Sequence, residues 1–200
     1  MRKEKLEELK RYVEELKTIE RIERFDNNKP FLKVRSYNYK LNNGVVLPRE
    51  QIIKGKGDGS AAIVMPITKD NEVLTVVEPR TPTKLGVAVG FPAGYIEPGE
   101  NPIISASREL REETGFTTDK ELIKLDSFYQ DEGCSSAYNY SFLALDCEKT
   151  NEQELDKDEI VRYMLFSYEE LFELEEMGYI CSSNVKLTLE KSKKYMKGRL

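Results

Sequence analysis

The chain opens on a helical rhythm. Leu6, Leu9, Val13, Leu16, Ile19 and Ile22 recur at three- and four-residue steps across residues 3–25, with Glu and Lys filling most positions between them. That spacing predicts one amphipathic helix. Asp26-Asn27-Asn28-Lys29-Pro30 breaks it, and β-rich runs follow at 31–41 and 45–53, joined by Asn42-Asn43-Gly44, a hairpin signal. Residues 61–67 and 73–77 form a second pair around Asp70-Asn71, and 86–89, 122–129, 138–145 and 160–166 complete the candidate strands. Between them lies a helix bounded by Asn101 as N-cap, Pro102 at the first helical position and Gly115 as a left-handed stop. On it Ile103, Ala106, Ser107, Leu110 and Thr114 share a face able to pack on a sheet. Ser167-Tyr168-Glu169-Glu170 reads as a capping box, with Gly178 as the stop of that helix. A last helix runs from about Asn184 into Lys191, Lys193, Lys194, Lys197 and Arg199. Many strands with helices inserted and appended imply one α/β domain with a mixed sheet.

Composition narrows the chemistry. Two hundred residues, 39% hydrophobic and 34% charged, suit one globular domain with a sizeable core. No apolar run approaches the roughly 20 residues of a membrane span, and Met1-Arg2-Lys3-Glu4 lacks a secretory stretch, so a cytoplasmic address is expected. Cys134, Cys147 and Cys181 are too scattered for a disulfide framework or a metal knuckle. Histidine is absent, which removes His-based acid/base work, Ser-His and Cys-His nucleophiles and imidazole zinc sites. Catalysis must then rest on carboxylates, Lys, Tyr, Cys or a metal held by oxygen. Thirty-six acids against 31 bases, a net charge of −5, argue against a nucleic-acid groove. An anionic substrate would need a bound cation to offset those acids.

Glu109, Glu112 and Glu113 stand at i, i+3 and i+4, on one helical face. Carboxylates so spaced repel and weaken an isolated helix. A hard divalent cation such as Mg²⁺ accounts for them, because it needs oxygen ligands and neutralises their charge. Arg108 is adjacent and can hold one carboxylate in place. A solvated acidic helix face would show the same triplet, so the longer spacing decides. From Gly94 to Phe116 the sequence resembles the Nudix signature G-x5-E-x7-R-E-U-x-E-E-x-G-U, with U a bulky apolar residue. Gly94, Glu100, Arg108, Glu109, Leu110, Glu112, Glu113, Gly115 and Phe116 fill every defined position. At about one chance in ten for each of seven strict positions, coincidence is on the order of 10⁻⁵ over the chain.

The resemblance implies a Nudix-type α/β/α sandwich and hydrolysis of a nucleoside diphosphate derivative with Mg²⁺ or Mn²⁺. It assigns Glu109, Glu112 and Glu113 as metal ligands, with Glu100 supporting the metal shell, a backbone oxygen near Ala93 added, and Arg108 orienting a Glu. Beyond the signature the chain is most similar to the ADP-ribose pyrophosphatase branch. Val77-Glu78-Pro79-Arg80-Thr81-Pro82 resembles its strand end carrying a substrate-contacting Arg, here Arg80, and Phe91-Pro92-Ala93-Gly94 its entry into the signature. Phe128-Tyr129-Gln130-Asp131-Glu132-Gly133-Cys134-Ser135 falls where the branch has a Tyr-x-Ser-Pro-Gly segment, which implies substrate contacts at Tyr129 and Glu132, but Glu132 replaces its Pro. Tyr129 and Tyr138 are candidates to stack on a base. Asp158-Glu159-Ile160 resembles the acidic loop that supplies the general base, for which Glu159 leads over Asp158 and Glu132. On this reading residues 1–55 are a helix-and-hairpin extension that pairs two subunits into a homodimer, and 56–200 are the hydrolase domain. ADP-ribose, split to AMP and ribose 5-phosphate, is the leading substrate. The alternatives are another nucleoside diphosphate sugar or a dinucleotide, a non-catalytic nucleotide sensor, and a sanitiser of damaged triphosphates.

Overall fold

Residues 61–68 are apolar at nearly every position, the mark of a strand covered on both faces, and this strand is the centre of the molecule. A computed structural model of the chain describes residues 1–22, 31–55, 57–157 and 159–197. Its elements in chain order are α1 (Lys3–Leu16), β1 (Leu32–Lys40), β2 (Val46–Lys54), β3 (Ala61–Thr68), β4 (Val73–Pro79), β5 (Val87–Gly90), β6 (Ala93–Tyr95), α2 (Pro102–Thr114), β7 (Phe116–Thr117), β8 (Ile123–Tyr129), β9 (Tyr138–Lys149), β10 (Arg162–Phe166), α3 (Tyr168–Glu176) and α4 (Ser183–Met196). Eight strands make a mixed sheet in the order β10-β4-β3-β9-β7, with β5 on β4, β6 on β3 and β8 on β9. The β3–β9 pair is parallel. Among the described residues no helix is long and apolar enough to cross a membrane.

Strand alternation divides the core. Ile63, Met65 and Ile67 of β3 join Leu9, Leu16, Leu171, Leu174, Val185 and Leu189 from α1, α3 and α4. Ala62 and Val64 face the other way, against Ala106 and Leu110 of α2. The result is an α/β/α sandwich, as expected from the signature. The hairpin β1–β2 stands apart from this core, with β1 exposed along its whole length. Its ties to the body include the Ile52 N–H, which donates to the Cys134 carbonyl at 2.8 Å, the Gln51 side-chain amide, which donates to Ser136 Oγ at 2.7 Å, the Lys54 ammonium, which donates to the Gln130 side chain, and a ring contact of Phe31 with Tyr95.

The sheet splits where the site forms. Strand β3 pairs with β4 at Ile67 and Val73, then takes β6 as its neighbour at Ala61–Ile63. Strand β4 takes β5 instead, from Val76 to Pro79. Phe91 and Pro92 carry the chain from one side of the opening to the other. Helix α2 crosses the same region, placed by its caps: the Asn101 side chain accepts from the Ile103 N–H, and Gly115 adopts φ 76°. A Cβ at Gly115 would lie 2.1 Å from the Asn151 carbonyl oxygen, so this stop also permits a close approach of the chain.

Three expectations need correction, and two short strands were not foreseen. The first helix stops at Leu16 rather than continuing to residue 25, of which 23–25 lie outside the described residues. Lys17 turns extended, the backbone of Lys17 and Thr18 lies against Gly86, and Ile19 and Ile22 are 91% and 76% exposed. The packed face of α2 is rotated from its expected centre. Ser107 is exposed, its hydroxyl returned to the Ile103 carbonyl, and Ser105 is buried in its stead. Strand β9 runs on to Lys149 through a bulge near Asp146, whose φ is 56°. Strands β6 and β7, of three and two residues, carry too few positions to show a period.

Helix α1 belongs to the core and is clamped there, its N-terminal ammonium 2.6 Å from Glu173 and Lys5 2.9 Å from Glu72. Leu9 is fully buried against the sheet. Leu9→Ala should therefore cost about 2–5 kcal/mol of unfolding free energy in urea titration. A loss of only a few tenths would detach α1 from the core.

Candidate active site

Rotation of α2 has an electrostatic consequence. Its buried half includes Glu109 and Glu113 along with Ala106, Leu110 and Thr114. Isolated charges in such a position are costly unless paired, and one side chain does most of the pairing. Arg108 donates from Nε to Glu100 Oε1 (3.0 Å), and from Nη1 to Glu109 Oε1 (2.6 Å) and Glu112 Oε2 (3.1 Å). Its Nη2 donates to Glu100 Oε2 (3.1 Å), Ser105 Oγ (3.2 Å) and the Tyr95 carbonyl (3.3 Å). The bond from Arg108, more than any other contact, holds the Glu100 carboxyl below its ordinary range. Glu100 also accepts from the Glu97 N–H at 3.0 Å, which folds the 97–100 turn beneath the guanidinium.

Gly94 is required at this point. A Cβ there would lie 1.9 Å from Glu109 Oε1, so any side chain would fill the space where that carboxylate sits. Next to it the Ala93 N–H donates to Glu113 Oε2 at 3.1 Å. Burial pushes the Glu113 carboxyl up to about 9, helped by the charges of Glu78 and Glu109, with Glu159 adding to the effect and the Ala93 bond opposing it. Burial likewise raises Glu109, partly offset by Arg108.

Most predicted residues meet here. Glu100, Arg108, Glu109, Glu112, Glu113 and Ala93 surround the Gly94 strand edge. Glu159, in the loop before β10, is exposed, yet its charge raises Glu78, Glu109 and Glu113. Arg80, just past β4, is held 2.6 Å from Glu78 and lies close enough to Tyr95 to oppose the burial shift of its hydroxyl. Tyr129 and Glu132 stand elsewhere, at the exposed rim where β8 turns into β9. The Tyr129 ring meets Tyr138 edge-on at 4.7 Å, and among the described residues no hydrogen bond or ion pair joins Glu132 to the helix acids. Asp158 lies outside the described residues.

Sequence reasoning missed Glu78 and Arg111. Glu78 follows an apolar strand and shares a strand face with Arg80, two residues on, which was the available signal. Its side chain is 18% exposed, and burial raises its carboxyl despite Arg80. Arg111, at the signature's free position, donates to Glu112 Oε1 (2.9 Å) and to Glu154 Oε2 (2.6 Å).

Divalent-cation dependence is a property of the Nudix signature, and the donors can be tested against it. Among the described residues no three carboxylates converge as a ready cage. However, Glu109 Oε1 and Glu112 Oε2 already converge on one cationic atom, Arg108 Nη1. Glu113 is a buried carboxyl short of counter-charge, and every donor is a hard oxygen. The set fits a hard dication, which Glu109, Glu112 and Glu113 would hold.

The Glu113 shift yields a prediction. Its folded pKa, about 9, exceeds the ordinary 4.5, so the metal-free fold loses stability as pH rises from 4.5 through about 9. In chelator, Glu113→Gln should melt higher than the parent at about pH 8.5, and the two should converge near pH 4.5. Parallel curves across that range would contradict the assigned cause.

Comparison with known proteins agrees with the geometry. The NUDIX domain family model matches residues 57–186. The chain is 37% identical over 137 residues to the ADP-ribose pyrophosphatase of Bacillus subtilis (strain 168), covering 68% of this chain and 71% of that one. It is 34% identical over 131 residues to the methanol dehydrogenase activator of Bacillus methanolicus, covering 65% and 68%. The crystal structure of an ADP compounds hydrolase superposes with a TM-score of 0.72 over 87% of this chain and 91% of that one, at 22% identity, a likeness of fold. With the family model matched over most of the chain and every signature position filled, the chain belongs to the Nudix hydrolase family.

Proposed function

We propose that this enzyme hydrolyses the pyrophosphate bond of ADP-ribose, giving AMP and ribose 5-phosphate, with magnesium (or manganese) as the cation. The observation that carries the reading is the convergence of Glu109 and Glu112 on Arg108 beside the buried Glu113 and the bare Gly94 edge. The similarity to an enzyme named ADP-ribose pyrophosphatase supports the choice of substrate. A bound dication would supply counter-charge for the pyrophosphate and lower the pKa of attacking water. Glu109, Glu112 and Glu113 would hold it, with Glu100 keeping Arg108 in place and an Ala93 backbone oxygen added.

The chain's own residues supply the rest. Arg108 keeps the Glu109 and Glu112 carboxylates aimed at one point, and a dication would take over part of that hold. Arg80, anchored by Glu78, is suited to pair with a phosphate oxygen. Water oxygen bonds to phosphorus while its proton passes to the Glu159 carboxylate. The bridging P–O bond then breaks, and its electron pair leaves with the departing phosphate. Tyr129, edge-on to Tyr138 at the rim, and Glu132 are the proposed contacts to the nucleoside part.

The same reading assigns residues 56–200 as the hydrolase domain and residues 1–55 as its extension, within which α1 packs into the shared core. The exposed β1–β2 hairpin is the proposed contact of a homodimer, and the address is cytoplasmic.

Product chromatography after incubation with Mg²⁺ and a panel of nucleotide derivatives tests the substrate. AMP and ribose 5-phosphate should appear fastest from ADP-ribose; faster turnover of another nucleoside diphosphate sugar would replace it. Glu112→Gln should lower kcat by about 10²–10³-fold with an unchanged circular dichroism spectrum. Light scattering should give twice the chain mass, and a monomer at every concentration would remove the hairpin's role.

A further inference from the structure

The loop that carries Glu159 is fastened to the helix that carries the acids. Thr150 and Asn151 both donate backbone N–H bonds to the Gly115 carbonyl at 3.0 Å, and the Glu154 N–H donates to the Glu112 carbonyl at 2.8 Å. These are the otherwise orphan carbonyls at the end of α2. Arg111 adds a side-chain arm, joining Glu112 to Glu154. Gln153 does something different. Its side-chain amide donates to the Glu113 carbonyl at 2.5 Å and to the Val161 carbonyl at 3.4 Å. One NH₂ group thus bridges the helix end to the point where the chain enters β10, and Glu159 lies between those anchors. Within the loop, Asp156 and Glu159 close on each other: the Asp156 N–H donates to Glu159 Oε2 and the Glu159 N–H to the Asp156 carbonyl, each at 3.0 Å.

We propose that Gln153 is a positioning residue for hydrolysis: by bridging the Glu113 and Val161 carbonyls it pins both ends of the Glu159 loop and sets where that carboxylate stands against the α2 acids. This rests on the role given to Glu159 above. Gln153 lies outside the signature and its side-chain amide is engaged by two backbone carbonyls, so its effect passes through Glu159. β10 still holds Arg162 against Val77 when the bridge is lost, but the start of the loop is no longer tied to that end, and the base samples positions too distant to take the proton.

The full-length chain carrying Gln153→Met, which keeps the volume and removes the donors, is compared with Glu159→Gln and the double variant. Steady-state ADP-ribose hydrolysis with Mg²⁺ is measured with hydrogen–deuterium exchange of residues 155–160. Gln153→Met should lower kcat about tenfold with KM within about twofold, and speed exchange in that loop while α2 is unchanged. In the Glu159→Gln background it should add less than about twofold. Gln153→Asn, too short to span both carbonyls, should follow Gln153→Met and serves if the methionine variant folds poorly. Unchanged kcat and exchange, or an equal tenfold loss on top of Glu159→Gln, would overturn the inference. A Glu159→Gln enzyme with parental turnover removes the reading of Glu159 and the inference together. A slow Glu159→Gln beside an unaltered Gln153→Met removes the inference alone.

Discussion

A single guanidinium holds the site together. Helix α2 sets acids close to one another on the half of its surface that meets the sheet, where their charges are least tolerable. Arg108 lies among Glu100, Glu109 and Glu112 and reaches the Tyr95 carbonyl and Ser105 besides. It balances charge that is buried at Glu109 and half-buried at Glu100 and Glu112, and it fixes the directions in which the carboxylates point. Glu113 lies beyond that reach, with the Ala93 N–H as its partner, and so bears the largest burden of burial. The cluster is balanced on one side and short of positive charge on the other. That asymmetry suits a site completed by a cation.

The fold exists to hold this helix against a strand edge that has no side chain in the way. The sheet opens between β3 and β4 because each takes a new partner, β6 and β5, and the crossing chain delivers Ala93 and Gly94 to the helix. Both faces of β3 are packed, so the opening cannot drift. At the far end of α2, Gly115 lets the 150–154 segment approach its carbonyls. Two glycines thus set the distances from helix to strand and from helix to loop.

Local rules were legible in the sequence where the chain itself enforces them. Asn101, Pro102 and Gly115 bound α2, and Ser167 with Glu170 opens α3, because caps act between residues a few positions apart. The strands were legible by apolar run, and the signature by spacing. The rest depends on tertiary neighbours. Ile19 and Ile22 keep a helical period, yet the chain leaves the helix at Lys17 to lie along Gly86. Ser107 and Ser105 are equally small, and the sheet selects which is buried. Glu78, Arg111 and Gln153 fill no defined position of the signature; they join the site because β4 and the 150–154 segment fold beside α2.

The central claim is that the α2 carboxylates exchange part of their hold on Arg108 for a dication. Anomalous scattering from crystals soaked in Mn²⁺ tests it most directly. The account predicts a manganese peak about 2.0–2.3 Å from carboxylate oxygens of at least two among Glu109, Glu112 and Glu113, with Arg108 still bound to Glu100. Carboxylates that keep every contact to Arg108, with no anomalous peak between them, would contradict it.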